Sequence, residues 1–285
     1  MGLVMVIVSS VLFGVIPSIQ AWVLETGGDP VALVVICNGL GCLVPGTMAV
    51  ARHESLAVGR RELAHLALTG CLGLFLTDYL LDVAYTMIPV GFVTMIHFLY
   101  PTLVCAAMAA LFGERLTRAK MAAIVLSVVG LALISGADFG GDPRGIVVAL
   151  VTAVAYAYYM VSCERSPISK VTVLARSSWL NLFVVVCASS AIVARGGVIW
   201  PHGPTPWALA AVIGVMLAAA IALLNAGVDA IGAGESALVN MVEPVASLAV
   251  SLVVFRYAVS AEALVGCALI LCAIALVALG EGRRA

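Results

Sequence analysis

Five polar side chains recur in one apolar stretch. Ser236, Asn240, Glu243, Ser247 and Ser251 are spaced by 4, 3, 4 and 4 residues, and at about 100° per residue a helix sets them on one narrow stripe. Serine and asparagine there can act as hydrogen-bonding glue between helices. A carboxylate has different needs. In apolar surroundings Glu243 requires a cation, a set of donors or a proton, which is the chemistry of a charge-selective or proton-coupled binding site. Pro244 follows it, and a proline inside a helix leaves a backbone carbonyl without its usual partner.

A second stretch carries related chemistry. His97 and Tyr100 stand just before Pro101, with Thr94 a turn earlier. His97 is either a satisfied packing residue or, facing Glu243, an ion-pair partner or proton site. Asp78 and Asp82 are related as i, i+4, with Tyr79 and Tyr85 nearby; Asp78 is a candidate cavity acid, whereas Asp82 is expected at a water interface. Tyr156 is a candidate aromatic wall. Arg176 is expected to snorkel to the near surface, and Asp229 and Glu235 to be acids at a helix N-terminus. The substrate-binding candidates are thus Glu243, Asn240, His97, Tyr100, Asp78, Tyr79 and Tyr156, with Glu243 and His97 as proton-coupling candidates. The eight cysteines form no CxxC pair and join no His in metal-ligand spacing, so they are expected to be small buried hydrophobes, with no metal site and no cofactor.

The elements that must position these groups are membrane helices. Apolar residues make up 64% of the 285 and charged ones 10%, against about 45–50% and about 25% in soluble domains. The net charge of −1 offers nothing to nucleic acid. Apolar runs near the roughly 20 residues needed to cross a bilayer lie at 2–24, 30–51, 63–85, 89–112, 119–136, 145–163, 171–194, 207–228, 232–255 and 261–280. Ten of the basic residues fall in loops on one side (Arg52, Arg60, Arg61, Arg115, Arg118, Lys120, Arg165, Lys170, Arg283 and Arg284) and three on the other (Arg144, Arg195 and Arg256). The positive-inside rule then expects both termini in the cytoplasm of a cell whose inner membrane holds the chain.

An offset of 143 residues pairs Asn38 with Asn181, Gly91 with Gly234 and Pro101 with Pro244. These rare residue types in ungapped register point to a repeat, 1–142 and 143–285, that accounts for one transmembrane domain. The expected fold is all-α, ten transmembrane helices as two inverted five-helix repeats, because five spans per half turn the second copy over. Such repeats bind solute near the midplane, between the halves. The same offset maps Glu243 onto Tyr100 and Asn240 onto His97, so these four should face one another.

The stretch IPVGFVTMIHFLYPTLVCAAMAALFGERLTRAKMAAIVLSVVGLALISG, from Ile88 to Gly136, resembles the second part of an EamA repeat: a helix with a mid-span proline, a GE-[RK]-[LIM]-[ST] loop, then a Gly-bearing helix. GERLT at Gly113–Thr117 is its most specific piece, while the second copy, FRYAVS at Phe255–Ser260, lacks the Gly-Glu. SSVLFGVIPS in the first helix resembles that family's small-aromatic-Gly entry. The resemblance implies the ten-helix drug/metabolite transporter superfamily, whose members move very different solutes.

The expectation is therefore a secondary transporter of a small metabolite, an amino acid or related amine, working by alternating access, exporting and proton-linked. Uptake of a quaternary amine or other cationic solute is the alternative, and a receptor or channel without a transport cycle the alternative of another class. No HExxH, GxSxG, Walker A or Asp-rich metal motif argues for an enzyme or an ATP-driven pump. The expected partners are the solute, protons and lipid, in a monomer or homodimer.

Overall fold

A computed structural model of the protein describes residues 1–285 except 27, 89, 136–141, 254–259 and 282–285, and all of their side chains except those of 21, 90, 91, 135, 251, 252 and 278–281. Among the described residues every regular element is helical. The helices are α1 (Gly2–Leu24), α2 (Pro30–Ala51), α3 (Arg60–Leu68), α4 (Leu76–Tyr85), α5 (Val90–His97), α6 (Tyr100–Phe112), α7 (Arg118–Ser135), α8 (Pro143–Arg165), α9 (Val173–Arg195), α10 (Pro204–Ile231), α11 (Ala233–Val239), α12 (Val242–Val253) and α13 (Ala261–Glu281).

Local sequence explains several ends. Asp29 and Asp142 cap α2 and α8, each accepting a 2.8 Å hydrogen bond from the backbone N–H two residues on, with proline at the first helical position. That pairing satisfies one orphan donor and places proline where no N–H is missed. α6 ends at Gly113, whose φ of 73° is left-handed and costs a glycine little. The second-copy residues Phe255–Tyr257, the loop glycines Gly27, Gly136, Gly140 and Gly141, and Arg256, Arg283 and Arg284 lie outside the described residues.

Among the described residues, seven helical segments are long and apolar enough to cross a membrane: Gly2–Leu24, Pro30–Ala51, Arg60–Tyr85, Phe92–Phe112, Pro143–Arg165, Val173–Arg195 and Pro204–Ile231. In α13 the apolar stretch is the shorter Ala261–Val277, and the stretch expected at 232–255 is not one helix. It breaks at Asn240–Met241 between α11 and α12, as 89–112 breaks at Phe98–Leu99 between α5 and α6. Both breaks lie just ahead of a proline, which lacks an N–H and crowds the carbonyl four residues back. The third segment is continuous but passes through a π-helical turn, Thr69–Phe75, between α3 and α4. There Gly70 and Gly73 admit neighbours closely: a Cβ would sit 2.8 Å from Phe183 Cβ at the first and 2.9 Å from Tyr159 Cβ at the second.

The outer surface is apolar, with Val4, Leu43, Val50, Leu111 and Val193 exposed. α1 packs on α10 and α12, α2 on α9 and α10, and α8 on α4, α5, α6 and the π-helical turn. The α5–α6 and α11–α12 breaks are central, where Tyr100, Leu238, Val239 and Met241 join one buried core. α7 and α13 pair along small residues, Ala123 and Ala273 being fully or almost fully buried. A Cβ on Gly130 would lie 2.6 Å from the Gly266 carbonyl oxygen and 2.9 Å from Ile270 Cγ1. Close backbone approach of this kind is how apolar helices gain packing in lipid. Gly130→Val should therefore destabilise the purified protein by about 1–3 kcal/mol through overpacking. A thermal melt in detergent reads it, and an unchanged midpoint would contradict the contact.

Candidate functional site

The break before α12 organises a polar knot. Asn240 is fully buried. Its Oδ1 accepts from Ser10 Oγ of α1 at 2.8 Å, and its Nδ2 donates to Tyr100 Oη at 2.8 Å and to Glu243 Oε2 at 3.4 Å. The knot forms because α1 comes close at Gly14, where a Cβ would stand 2.6 Å from the Glu243 carbonyl oxygen. Glu243 sits in the first turn of α12, where the helix dipole favours a negative charge.

His97 ends α5 and lies between Phe98, Tyr100 and Tyr156, with ring centroids 5.5–5.6 Å away. Its Nδ1 is 3.0 Å from Thr152 Oγ1, and that hydroxyl donates to the Ala149 carbonyl at 2.7 Å. The hydroxyl has one proton, so the histidine must supply the other; this assigns the Nδ1–H tautomer and leaves Nε2 as an acceptor. His97 therefore bonds Thr152, and among the described residues no ion pair joins it to Glu243.

Above the knot is a cavity of about 520 Å³. Glu243, Ser247 and Pro244 line it from α12, Asp78, Asp82 and Tyr85 from α4, Thr94 and His97 from α5, Asn38 from α2, and Phe13 and Pro17 from α1. Three carboxylates and a histidine face this space, with no lysine or arginine among the lining residues. Such a wall attracts cations and offers aromatic faces for cation–π contact. The lining runs out to Leu24, Pro30 and Tyr85, at the ends of α1, α2 and α4. The cavity thus opens on the face opposite the start of α1.

Of the sequence candidates, Glu243, His97 and Asp78 line the cavity, together with Asp82. Asn240 and Tyr100 lie beneath it, buried, with the half-buried Tyr156 ring 4.6 Å from that of Tyr100. Tyr79 is turned elsewhere: it stacks on Phe75 and accepts from Arg195 Nη2 at 3.0 Å. One residue beyond Asp78 is about 100° around the helix, which carries Tyr79 off the cavity face. Arg176 does not snorkel. It is fully buried and pairs with Asp229 Oδ2 at 2.8 Å, because α8 and α10 cover it and present that acid. Asp229 lies in the last turn of α10 rather than at a helix start, and Glu235 pairs with Lys120 at 2.8 Å. The side chain of Ser251 lies outside the described set. Sequence reasoning missed Ser10 and Thr152, which look like ordinary span serines and threonines until the partner helix is known.

The profile of the EamA-like transporter family matches residues 1–136 and again 143–279. A protein of Synechocystis sp. named as an uncharacterized transporter is 27% identical over 187 residues, 60% of this chain and 53% of its own length. The chain thus spans about half the length of that curated relative. A solved crystal structure superposes with a TM-score of 0.84 over 99% of this chain and 98% of that one, at 21% identity, a likeness of fold alone.

Removing Asn240 tests whether the knot holds the centre. Asn240→Ala strands the buried Tyr100 hydroxyl and should cost about 1–3 kcal/mol. Tyr79→Phe loses only a surface bond and should cost under about 0.5 kcal/mol. Equal melting shifts for the two variants would contradict this placement.

Proposed function

The chain belongs to the EamA-like transporter family, and from that membership we propose that it moves a small amine-bearing metabolite, an amino acid or related amine, across the cytoplasmic membrane by alternating access coupled to protons. It is a multi-pass membrane transporter rather than an enzyme. The observation that carries the finer reading is the cavity: three carboxylates and no lysine or arginine around about 520 Å³, with Glu243 at its base.

Ten spans in two inverted repeats belong to this reading. Two matches of one family profile support it, and so does the packing. α1 rests on α10 as α8 rests on α4, and α2 with α9 and α7 with α13 pair as repeat counterparts. With the basic loops inside, both termini are cytoplasmic and the cavity mouth is outside.

Mechanistically, Glu243 works as an exchange site. With an ammonium bound, it is an anion paired to that charge; with the site empty, it takes a proton. Asp78, Asp82 and His97 share the cavity, while Asn240 holds the carboxylate from its own break and Tyr100 holds Asn240. One carboxylate serving both ligands couples the two flows in opposite directions, and export against inward protons is the direction the family resemblance implies. Uptake of a cationic solute is the second reading, favoured by the acidic lining next to the outer mouth.

Flux into and out of proteoliposomes under an imposed pH gradient, over a panel of amino acids and amines, separates these directions. Glu243→Gln keeps the shape and removes the charge. It should lower pH-driven flux at least about tenfold, the equivalent of one charge-assisted contact, in protein that stays folded and monodisperse. Unchanged flux with an unchanged pH response would sink the exchange mechanism, and loss of folded protein would make Glu243 a structural residue.

A further inference from the structure

On the side of the midplane opposite the cavity lies a second concentration of polar groups, closed to solvent. Arg176, Cys163, Ser177, Asn181 and Asn225 are fully buried, and Tyr159 nearly so. Asn225 is the hub: its Oδ1 accepts from Tyr159 Oη at 3.0 Å and Cys163 Sγ at 3.3 Å, and its Nδ2 donates to Ser177 Oγ at 3.0 Å. Arg176 Nη2 donates to the Asn225 carbonyl at 3.0 Å and to Asp229. The network is not complete, since Arg176 Nε and Asn181 Oδ1 are buried without a partner. An apolar core gains nothing from this; buried polar atoms left unbonded are costly and mark groups that meet water or ligand in another state.

The repeat identifies that state. Subtracting 143 converts Tyr159, Cys163, Arg176, Ser177, Asn181 and Asn225 into Ile16, Gln20, Leu33, Val34, Asn38 and Asp82. Every one of those six lines the open cavity. Asn38 and Asn181 even share a posture, each side chain donating to the carbonyl four residues earlier.

On the face beyond this cluster, ion pairs line a hollow of about 590 Å³ that none of the cluster's residues lines. Lys120 Nζ lies 2.8 Å from Glu235 and 3.6 Å from Glu114. Arg165 pairs with Glu114 and Glu164, and Glu164 Oε2 accepts from Ala233 N at 2.6 Å. These bonds join the first half of the chain (Glu114, Lys120) to the second (Glu164, Arg165, Glu235). The repeat counterparts of Lys120, Glu164, Arg165 and Glu235 are Ala263, Ala21, Trp22 and Phe92, so those four positions offer the other face no ion pair.

We propose that the buried cluster around Asn225 is the closed inner half of the solute path, and that the Lys120–Glu235 pair with its neighbours is the latch that holds it shut while the outer cavity is open. Parting the latch frees the end of α8 from the loop before α7 and from α11 on this face, and the cluster that α8 covers then lines a wet route for the same amine-bearing solute. Its carbonyl, amide and hydroxyl oxygens offer an ammonium acceptors, while Asp229 keeps Arg176 neutralised. The inference rests on the alternating-access reading, but its test needs no solute.

Cys163 is a native reporter of the inner half, and Gln20, its repeat counterpart in the outer cavity, can be made one. In the full chain carrying Gln20→Cys, reconstituted in lipid, a water-soluble cationic methanethiosulfonate is applied and each thiol is followed by peptide mass spectrometry. With the latch intact, position 20 should react readily and Cys163 slowly. Adding Glu235→Gln should raise the Cys163 rate by about tenfold and lower the rate at position 20, because one equilibrium sets both. The exchange Lys120→Glu with Glu235→Lys should restore the original pattern. Cys163 staying unreactive, or reacting faster with no fall at position 20, overturns the proposal. Should Glu235→Gln fail to fold, Glu114→Gln must move the two rates in the same directions, and no movement overturns it equally. Reciprocal labelling in a protein that moves no amine would leave this inference standing and remove the solute assignment instead.

Discussion

Asn240 makes the hydrogen bonds on which the centre of this protein depends. Its amide ties α1 through Ser10, α6 through Tyr100 and α12 through Glu243, at a place where the backbone itself is interrupted. In an apolar bundle no solvent stands ready to satisfy a broken helix, so the break must be met by side chains. That requirement brings a helix from each half of the chain to one point. It also leaves a carboxylate beside the knot, at the base of a cavity, held by an amide and, among the described residues, by no salt bridge.

Much of this was legible in the residues. The 4, 3, 4, 4 spacing singled out Asn240 and Glu243, although a helix break falls between them, and the 143-residue offset pointed to Tyr100, which bonds Asn240, and to His97, which bonds Thr152 instead. Apolar run lengths located the helices. Other features were not legible, for physical reasons. Hydropathy averages over about twenty residues, so it passes over a two-residue break or a π-helical turn that keeps the same apolar composition. Tyr79 was misdirected because proximity in sequence to Asp78 says nothing of the face a neighbour takes. Arg176 was expected near water because its depth was counted along one helix, whereas burial was decided by α8 and α10. The ionic latch was invisible because Glu114, Lys120, Glu164, Arg165 and Glu235 come from separate elements.

The two halves of the chain are alike in packing and unlike in charge. One face carries the ion pairs, and among the described residues the counterpart positions of the other carry none; one side opens on a cavity and the other closes over a polar cluster. On the proposed transport cycle, similar packing in the two halves is what would let those conditions exchange, and the difference in charge is what would set the resting one. α7 and α13 meet at small residues, Gly130 against Gly266, so that pair is tightly packed.

The central claim is that a proton and an ammonium compete for Glu243. Weakly buffered protein, monitored with a pH-sensitive dye while a saturating organic amine is added, reports this directly. The account predicts release of about one proton per protein as the amine binds, with the amine's affinity rising with pH in proportion. Amine binding with no proton release, and with an affinity indifferent to pH, would contradict it.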